Sequence, residues 1–502
     1  MSALTTAIVR SFEPAQHTGG DDSPMRVLGR RQLSGYEVFA QSVATTAPAA
    51  SMVVVPTMLL AHGAWPSGLS TLVVVLVGTV LAAACIAQFT RRMISPGGLY
   101  SFAYQGLGGR GALLTGAAIL VKYLASASMT LYHGSTAAVT ALAQLGLGSG
   151  GTATRFVACL VIAAAVLTAL VRGVKLAAMV ILGIEVCSLA FIVGLMVFAG
   201  GAAEPLTVAA GTGPTSLPFW LTAVFALVGF ESATFLGSEA KRPYVTVTRA
   251  VVWTPVVCGA LFLVAGWAAF TGRANSVVEA YLHGASAGFG DATVILLHTA
   301  LAFSWVASAM ASSNAASRVL FTMGLDGVLP RGLAFVHRSF RTPVAGLLLT
   351  VGIVATVAMV MIGGGRAVLL PHLQPAARIG VVTAYLVVGA AALLFLTRIG
   401  EITAGVRVVC VAAVVTSSAA LGGLVLRDTG RQGFSVCVLV VLVLGAVLWW
   451  MWLRRFAPRS LLTIGAFDRA DSADVLPGAA SYGQDPSGAL VLVADRKCPP
   501  VP

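Results

Sequence analysis

Residues 69–88 read LSTLVVVLVGTVLAAACIAQ, a stretch of 20 residues without a charged side chain. A helix of about 20 apolar residues crosses the hydrocarbon core of a bilayer. Similar stretches recur from about residue 35 to about residue 453, with only short polar breaks. The 502-residue chain is 58% hydrophobic and 10% charged, whereas soluble domains are about a quarter charged. The sequence therefore predicts an all-α, polytopic membrane protein.

Twelve membrane-spanning helices are predicted, within a transmembrane domain at 35–453. Their approximate limits are 35–61, 69–88, 112–141, 153–171, 174–199, 218–238, 247–270, 291–319, 342–362, 378–397, 404–426 and 433–453. The polar segments 1–34 and 454–502 are expected to be cytoplasmic tails.

Lysine and arginine are distributed unequally between alternate loops. One side of the membrane holds 24 of them and the other holds 6. Because cytoplasmic loops are enriched in these residues, we expect a multi-pass protein of the cell membrane with both termini in the cytoplasm. The loop charges also account for the formal net charge of +13, so we expect the lipid bilayer, and no nucleic acid, as its surroundings.

The first ten spans divide into two halves of similar layout, 35–199 and 218–397, followed by two extra helices at 404–453. The first span of each half contains a helix-breaking site. In span one it is the sequence APAAS at 47–51, where Pro48 lacks a backbone donor, and in span six it is around Gly229. Gly-rich connectors at 95–111 and 272–290 occupy corresponding places in the two halves. This layout predicts a five-plus-five inverted repeat.

Three motifs resemble those of the amino acid-polyamine-organocation superfamily of permeases. The first reads SPGGLYSF at 95–102. The second reads FALVGFE at 225–231, followed by SEAKRP at 238–243, and the third reads NAASRVL at 314–320, followed by DGVLP at 326–330. Their order and spacing are also similar, and the resemblance covers roughly residues 35–400.

The resemblance implies the leucine-transporter-like fold and secondary active transport of amino acids by alternating access, either proton-coupled or exchanging, with no enzymatic activity. The substrate is expected at the membrane midplane between the two broken helices, where free backbone N–H groups can hold a carboxylate. The predicted substrate-binding residues are Ala47, Ala49, Ala50, Ser51, Phe225, Ala226, Gly229 and Phe230. The chain departs from the superfamily at 49–51, where relatives typically carry a G-S-G-like turn.

Three ionisable residues fall inside predicted spans, namely Lys122, Glu185 and Glu231. Because a charge at this depth is costly and usually functional, we expect them to couple transport to H⁺ or Na⁺. Glu231 alternatively only caps loose amides of the break. Glu185 lies where relatives often place a charged residue instead of a sodium ion. Lys122 either neutralises Glu185 across the cavity or extends to an interface.

Two alternative functions remain open. Glu185 and Glu231 would also suit a polyamine or another organic amine as the substrate. A membrane-embedded enzyme would need clustered Asp, Glu or His side chains, often around a metal, and no such cluster is evident in the sequence. We therefore expect no metal and no cofactor. Ser312 and Ser313 are candidate oxygen donors for a sodium ion.

Overall fold

The computed structural model describes residues 28, 33–61, 67–198, 227–284, 290–428, 433–465, 481–484 and 490–493. Helices dominate it. In chain order they are α1 (Gly35–Thr45), α2 (Pro48–Ala61), α3 (Ser67–Thr90), α4 (Leu99–Gln144), α5 (Thr152–Arg172), α6 (Val174–Phe198), α7 (Pro243–Phe270), α8 (Asn275–His283), α9 (Asp291–Leu325), α10 (Val344–Val360), α11 (Arg366–Arg398), α12 (Ala404–Asp428), α13 (Phe434–Phe456) and α14 (Pro458–Thr463).

Short elements complete the description. Two 3-10 helices cover Phe230–Leu236 and Arg331–Ala334, and a π-helical turn covers Met361–Gly365. In the C-terminal tail, β1 (Ser481–Gln484) pairs antiparallel with β2 (Leu490–Val493). This hairpin is the one β-sheet among the described residues, which are otherwise mainly helical.

Ten helical runs among the described residues are long and apolar enough to cross a membrane. One of them, Val344–Arg398, contains both α10 and α11, which the sequence predicts as spans nine and ten. The first part of predicted span six, 218–226, lies outside the described residues. The polytopic all-helical class is thus confirmed, and the count of twelve spans stays a prediction.

Two helices begin earlier than the spans predicted for them. Span three was expected to start at 112, but α4 begins at Leu99 and continues through a kink at Gly108, so most of the Gly-rich connector is helical. Span ten was expected to start at 378, but α11 begins at Arg366 and passes through Pro371 and Pro375. Its first turns carry Arg366, His372 and Gln374 and two prolines among apolar residues, and a hydropathy pattern interrupted in this way does not predict a membrane span.

Burial separates central helices from peripheral ones. In the most apolar window of the Gly35–Leu59 run 83% of residues are buried, and for α4 and α9 the share is 72%. For α13 it is 17%, and side chains such as Val441 and Leu448 are more than half exposed. Apolar side chains on that outer surface face lipid, whereas the central helices surround the broken segments.

Helices α4 and α11 pack backbone to backbone at two glycines. A Cβ atom added to Gly106 would lie 2.2 Å from the carbonyl oxygen of Ala391, and one added to Gly380 would lie 2.4 Å from that of Ala118. Small residues permit such close approach between membrane helices. The α4–α11 contact is therefore a fixed part of the fold.

We expect Gly380→Ala to destabilise the protein by about 1–3 kcal/mol, because the added methyl group must push the two helices apart. The matched control is Gly352→Ala in α10, where an added Cβ meets nothing within 4 Å. Thermal unfolding in detergent is the measurement. Equal melting temperatures for the two variants would contradict the close packing described here.

Candidate functional site

The break in span one lies between α1 and α2. Helix α1 ends at Thr45, and Ala47 adopts a left-handed backbone with φ of 46° before α2 begins at Pro48. Proline disfavours a helical conformation of the preceding residue and is well suited to the first position of a helix. The left-handed conformation costs a non-glycine residue about 1–2 kcal/mol. Local sequence thus forces the break at the predicted place.

The break in span six lies at Gly229 and contacts the first one. Gly229 has a φ of 136°, and the following segment, Phe230–Leu236, is 3-10 helical. The hydroxyl oxygens of Thr45 and Ser232 lie 2.8 Å apart, and Ser42 donates to the carbonyl oxygen of Phe230 at 2.7 Å. The two broken segments are therefore joined by hydrogen bonds at the centre of the protein.

The amide groups at the start of α2 are bound by the protein's own side chains. The N–H of Ala49 donates to Oε1 of Glu185 at 3.1 Å, and the N–H of Ala50 donates to the hydroxyl of Ser304 at 3.2 Å. Ser304 in turn donates to Oε1 of Glu185 at 2.9 Å. Oε2 of this buried carboxyl group has no hydrogen-bond partner among the described residues. The predicted carboxylate-binding amides are thus already occupied.

Glu231 binds four groups around the second break. Its Oε1 accepts from Nζ of Lys122 at 3.0 Å and from the hydroxyl of Tyr123 at 2.9 Å. Its Oε2 accepts from the hydroxyl of Tyr385 at 2.6 Å and from the N–H of Gly229 at 3.0 Å. Lys122 and Glu231 are both essentially inaccessible to solvent. Lys122 therefore pairs with Glu231, neither with Glu185 nor with an interface.

A cavity of about 380 Å³ begins at the first break. It runs to a mouth formed by Tyr281 and Leu282 of α8 and by Arg366 at the start of α11. Leu282 is 43% exposed and Arg366 is also exposed, so the cavity reaches the surface at this end. Pockets of this size hold small organic molecules.

Some of the predicted substrate-binding residues line this cavity and others do not. Ala47 and Ser51 line it, as does the predicted coupling residue Lys122. Ala49, Ala50, Gly229 and Phe230 are not part of its lining, and Phe230 packs against the ring of Tyr385 with centroids 5.3 Å apart. Phe225 and Ala226 lie outside the described residues.

Sequence reasoning missed several cavity residues. Arg366 and Arg378 line the cavity, although Arg366 lies before predicted span ten, Arg378 is the first residue of that span, and neither was a predicted site residue. His133 lies between Tyr132 and Trp305 in the cavity wall, with ring centroids 5.1 and 5.2 Å away, and it was not among the predicted site residues. Arg366, His372 and Gln374, which interrupt the apolar sequence at the start of α11, were the available signal, because polar side chains inside a membrane protein must face protein or water.

The opposite end of the protein is closed by a buried ion pair. Arg318 of α9 binds both carboxylate oxygens of Glu239, the second contact measuring 3.2 Å, and also donates to Oδ1 of Asn314 at 3.1 Å. Asn314 donates to Gln41 of α1 at 3.2 Å. Arg318 lies ten residues beyond Ser308 of the cavity wall, about 15 Å along the helix. The cavity is thus open at one end and sealed at the other.

The three sequence motifs meet at this sealed end, which we call the motif face (95–102, 235–243 and 314–330). The hydroxyl of Tyr100 donates to Asp326 at 2.9 Å. A Cβ atom on Gly98, whose φ is 51°, would lie 2.6 Å from the ring of Phe235, so only glycine fits there. The carbonyl oxygen of Phe235 also accepts from Arg318 at 3.3 Å. Segments far apart in sequence therefore form one seal.

The helical region that contains the two breaks is similar to known proteins. A family model described as amino acid permease matches residues 38–394. The methylthioribose transporter of Bacillus subtilis (strain 168) is 26% identical over 428 residues, which cover 78% of this chain and 87% of that protein. The low-affinity putrescine importer PlaP of Escherichia coli (strain K12) is 27% identical over 203 residues, 36% of this chain and 43% of PlaP.

A solved structure shares the fold. MHP1, a nucleobase-cation-symport-1 family transporter solved in a closed conformation with bromovinylhydantoin bound, superposes with a TM-score of 0.51. The match covers 89% of this chain and 99% of MHP1 at 13% sequence identity. It supports the predicted inverted-repeat, leucine-transporter-like architecture.

We expect Arg318→Met to destabilise the protein by about 3–5 kcal/mol, because it leaves the buried carboxylate of Glu239 without its cation. The matched control is Arg92→Met, which breaks the exposed pair with Glu401 and should cost no more than about 1 kcal/mol. Thermal unfolding of both variants in the same detergent is the measurement. A loss for Arg318→Met as small as that for the control would disprove the proposed seal.

Proposed function

Because the chain belongs to the amino acid permease family, we propose that this secondary transporter carries amino acids across the cytoplasmic membrane by alternating access. The observation that carries the proposal is the cavity between the broken segments, open at one end and sealed at the motif face by Arg318 and Glu239. A site that communicates with one side at a time is what a carrier requires. Both termini are proposed to lie in the cytoplasm, with the cavity mouth on the outer side.

We propose a proton as the coupling ion, with Glu185 as the residue that takes it up. The carboxyl group of Glu185 is buried at the break of span one, and no lysine or arginine among the described residues forms an ion pair with it. A buried carboxylate without a cation must be neutralised by a proton or a bound cation. A proton on Oε2 would achieve this while Oε1 keeps its bonds to Ala49 and Ser304.

Glu231 serves a different purpose in this proposal. Its two oxygens are fully engaged by Lys122, two tyrosines and the Gly229 amide. Removing one charge of a buried ion pair leaves the other charge uncompensated, which destabilises a protein by about 3–5 kcal/mol. Glu231 and Lys122 are therefore proposed to anchor the break of span six in the coupling mechanism.

An organic amine is the second candidate substrate. It is favoured by the similarity to a putrescine importer. The position of the two buried carboxyl groups at the breaks does not favour an amine, because neither Glu185 nor Glu231 lines the cavity.

Counterflow in proteoliposomes tests the substrate. Vesicles containing the purified protein and a high internal concentration of unlabelled amino acids should transiently accumulate a labelled amino acid mixture, because a carrier exchanges solutes across the membrane. Vesicles loaded with putrescine and offered labelled putrescine provide the comparison. Exchange of putrescine without exchange of any amino acid would overturn the amino acid proposal and leave a carrier of amines.

The variants Glu185→Gln and Glu231→Gln separate the two carboxyl groups. Glu185→Gln keeps an oxygen for the Ala49 amide but cannot carry a proton, so uptake driven by a pH gradient should fall about tenfold or more while counterflow persists. Glu231→Gln should lower both activities and the melting temperature, because Lys122 stays buried without its counter-ion.

Uptake is measured against external pH at constant membrane potential. Gradient-driven uptake by Glu185→Gln with the wild-type pH profile would exclude Glu185 as the proton carrier.

A further inference from the structure

Two arginines stack on one tryptophan where α4 meets the end of α13. The guanidinium carbon of Arg110 in α4 lies 4.0 Å from the ring centroid of Trp450, and that of Arg454 lies 5.4 Å from the same centroid. Because both distances are measured to one point, the two carbons are less than about 10 Å apart, so one phosphate group can contact both. Both arginine side chains are exposed.

Neither guanidinium group has an acidic partner in the described part of the chain. The ion pairs found there involve Arg92, Lys122 and Arg318, and α4, α13 and α14 contain no aspartate or glutamate. Asp326 contacts α14 through its backbone carbonyl, but its carboxylate is buried and accepts from the hydroxyl of Tyr100. Stacking uses the flat face of a guanidinium group and leaves the N–H groups at its edge for an acceptor.

The stacked arginines lie where α13 leaves the membrane. Its last residues, 449–456, read WWMWLRRF, and tryptophans followed by arginines are typical of the boundary between hydrocarbon and lipid headgroups. Thr463 of α14, just beyond this end, donates to the carbonyl oxygen of Asp326 at 2.6 Å. The boundary is therefore the one on the side of the motif face.

Each stacked arginine stands at the end of an apolar row that continues into the membrane. The rows are spaced by three and four residues, which places their side chains on the same face of the helix as the arginine. Val443 and Val447 on the α13 row are 39% and 40% exposed, and the α4 row is half-buried. The rows start side by side, because both arginines contact Trp450. Their members are Leu114, Ala117 and Val121 on α4 and Val443 and Val447 on α13.

We propose that Arg110 and Arg454 bind the phosphate group of an anionic phospholipid in the leaflet next to the motif face, with its acyl chains along the two apolar rows. Charge complementarity identifies this occupant, since basic pockets between membrane helices bind the headgroups of anionic lipids. A zwitterionic lipid would bring an ammonium group of its own towards the two arginines. The site is separate from the cavity, so it does not depend on which solute the protein carries.

The distribution of loop charges alone does not produce such a site. Arginines are common in the loops on this side of the protein, and Arg407 at the start of α12 is one of them. It is exposed and has no aromatic or acidic partner among the described residues. Arg110 and Arg454 differ from it because a single indole ring holds them together at the end of two apolar rows. Arg407 is therefore the matched control for the loss of one exposed positive charge.

Lipid binding is measured on the full-length protein, purified and delipidated in an uncharged detergent. Native mass spectrometry counts bound lipids, and the rise in melting temperature reports binding to the folded state. Phosphatidylglycerol should bind and stabilise the protein, whereas phosphatidylcholine with the same acyl chains should require an at least about tenfold higher concentration. Inorganic phosphate and glycerol 1-phosphate, which lack acyl chains, should not replace the lipid at equal concentration.

Variants locate the site. Changing Arg110→Gln and Arg454→Gln together should raise the phosphatidylglycerol concentration needed for half-maximal stabilisation by at least about tenfold, because each arginine near a lipid surface contributes about 1 kcal/mol. Changing both residues to lysine keeps the charge and should restore part of the binding. Arg407→Gln should have a much smaller effect than the double glutamine variant.

The other outcomes overturn the proposal. If Arg407→Gln weakens binding as much as the double variant, the lipid responds only to the general surface charge. If the double variant has a lower melting temperature without lipid but an unchanged lipid affinity, the stacked arginines only support packing. If inorganic phosphate stabilises the protein as well as the lipid does, the site binds a soluble anion. The comparison of the two lipids needs no variant, and equal binding of both would also exclude the site.

These results are independent of the proposed transport. Failure of the lipid site leaves the cavity, the seal and the counterflow experiment unaffected.

Discussion

Hydrocarbon offers no hydrogen bonds, so every backbone N–H exposed by a broken helix must find a partner inside the protein. This constraint organises the centre of the molecule. The break of span one is satisfied by Glu185 and Ser304, and the break of span six is satisfied by Glu231. Because each break takes a buried carboxyl group, each also creates a charge that needs compensation. The two breaks differ in this respect, since Lys122 pairs with Glu231, whereas no lysine or arginine in the described part of the chain forms an ion pair with Glu185.

The proposed function assigns different roles to the carboxyl groups of Glu185 and Glu231. The carboxylate of Glu231 is held by a lysine, two tyrosines and an amide and is therefore fixed in place. Oε2 of Glu185 has no hydrogen-bond partner among the described residues, so this carboxyl group can take up a proton there. Two arginines of α11, Arg366 and Arg378, line the cavity beside them and lie outside both breaks. We thus propose separate sets of residues for coupling and closure, with closure assigned to Arg318 and Glu239 at the motif face.

Much of this could be predicted from the sequence, because the signals are local. Pro48 and Gly229 mark the breaks directly, and the cost of charge in a membrane identifies Lys122, Glu185 and Glu231 as important. The pairing of Lys122 with Glu231 could not be predicted, since it depends on how α4 is rotated towards the second break. The first turns of α11, at 366–377, were left out of predicted span ten for a related reason: a hydropathy pattern detects contact with lipid, and polar side chains that face an internal cavity interrupt that pattern.

The contact between Lys122 and Glu231 also limits how the protein can move. Lys122 belongs to a helix whose backbone touches α11 at Ala118 and Gly380, while Glu231 belongs to the broken segment. Pulling the two charges apart without water would leave both unsolvated. A rearrangement that keeps this pair out of water must therefore carry the second break along with α4 and α11.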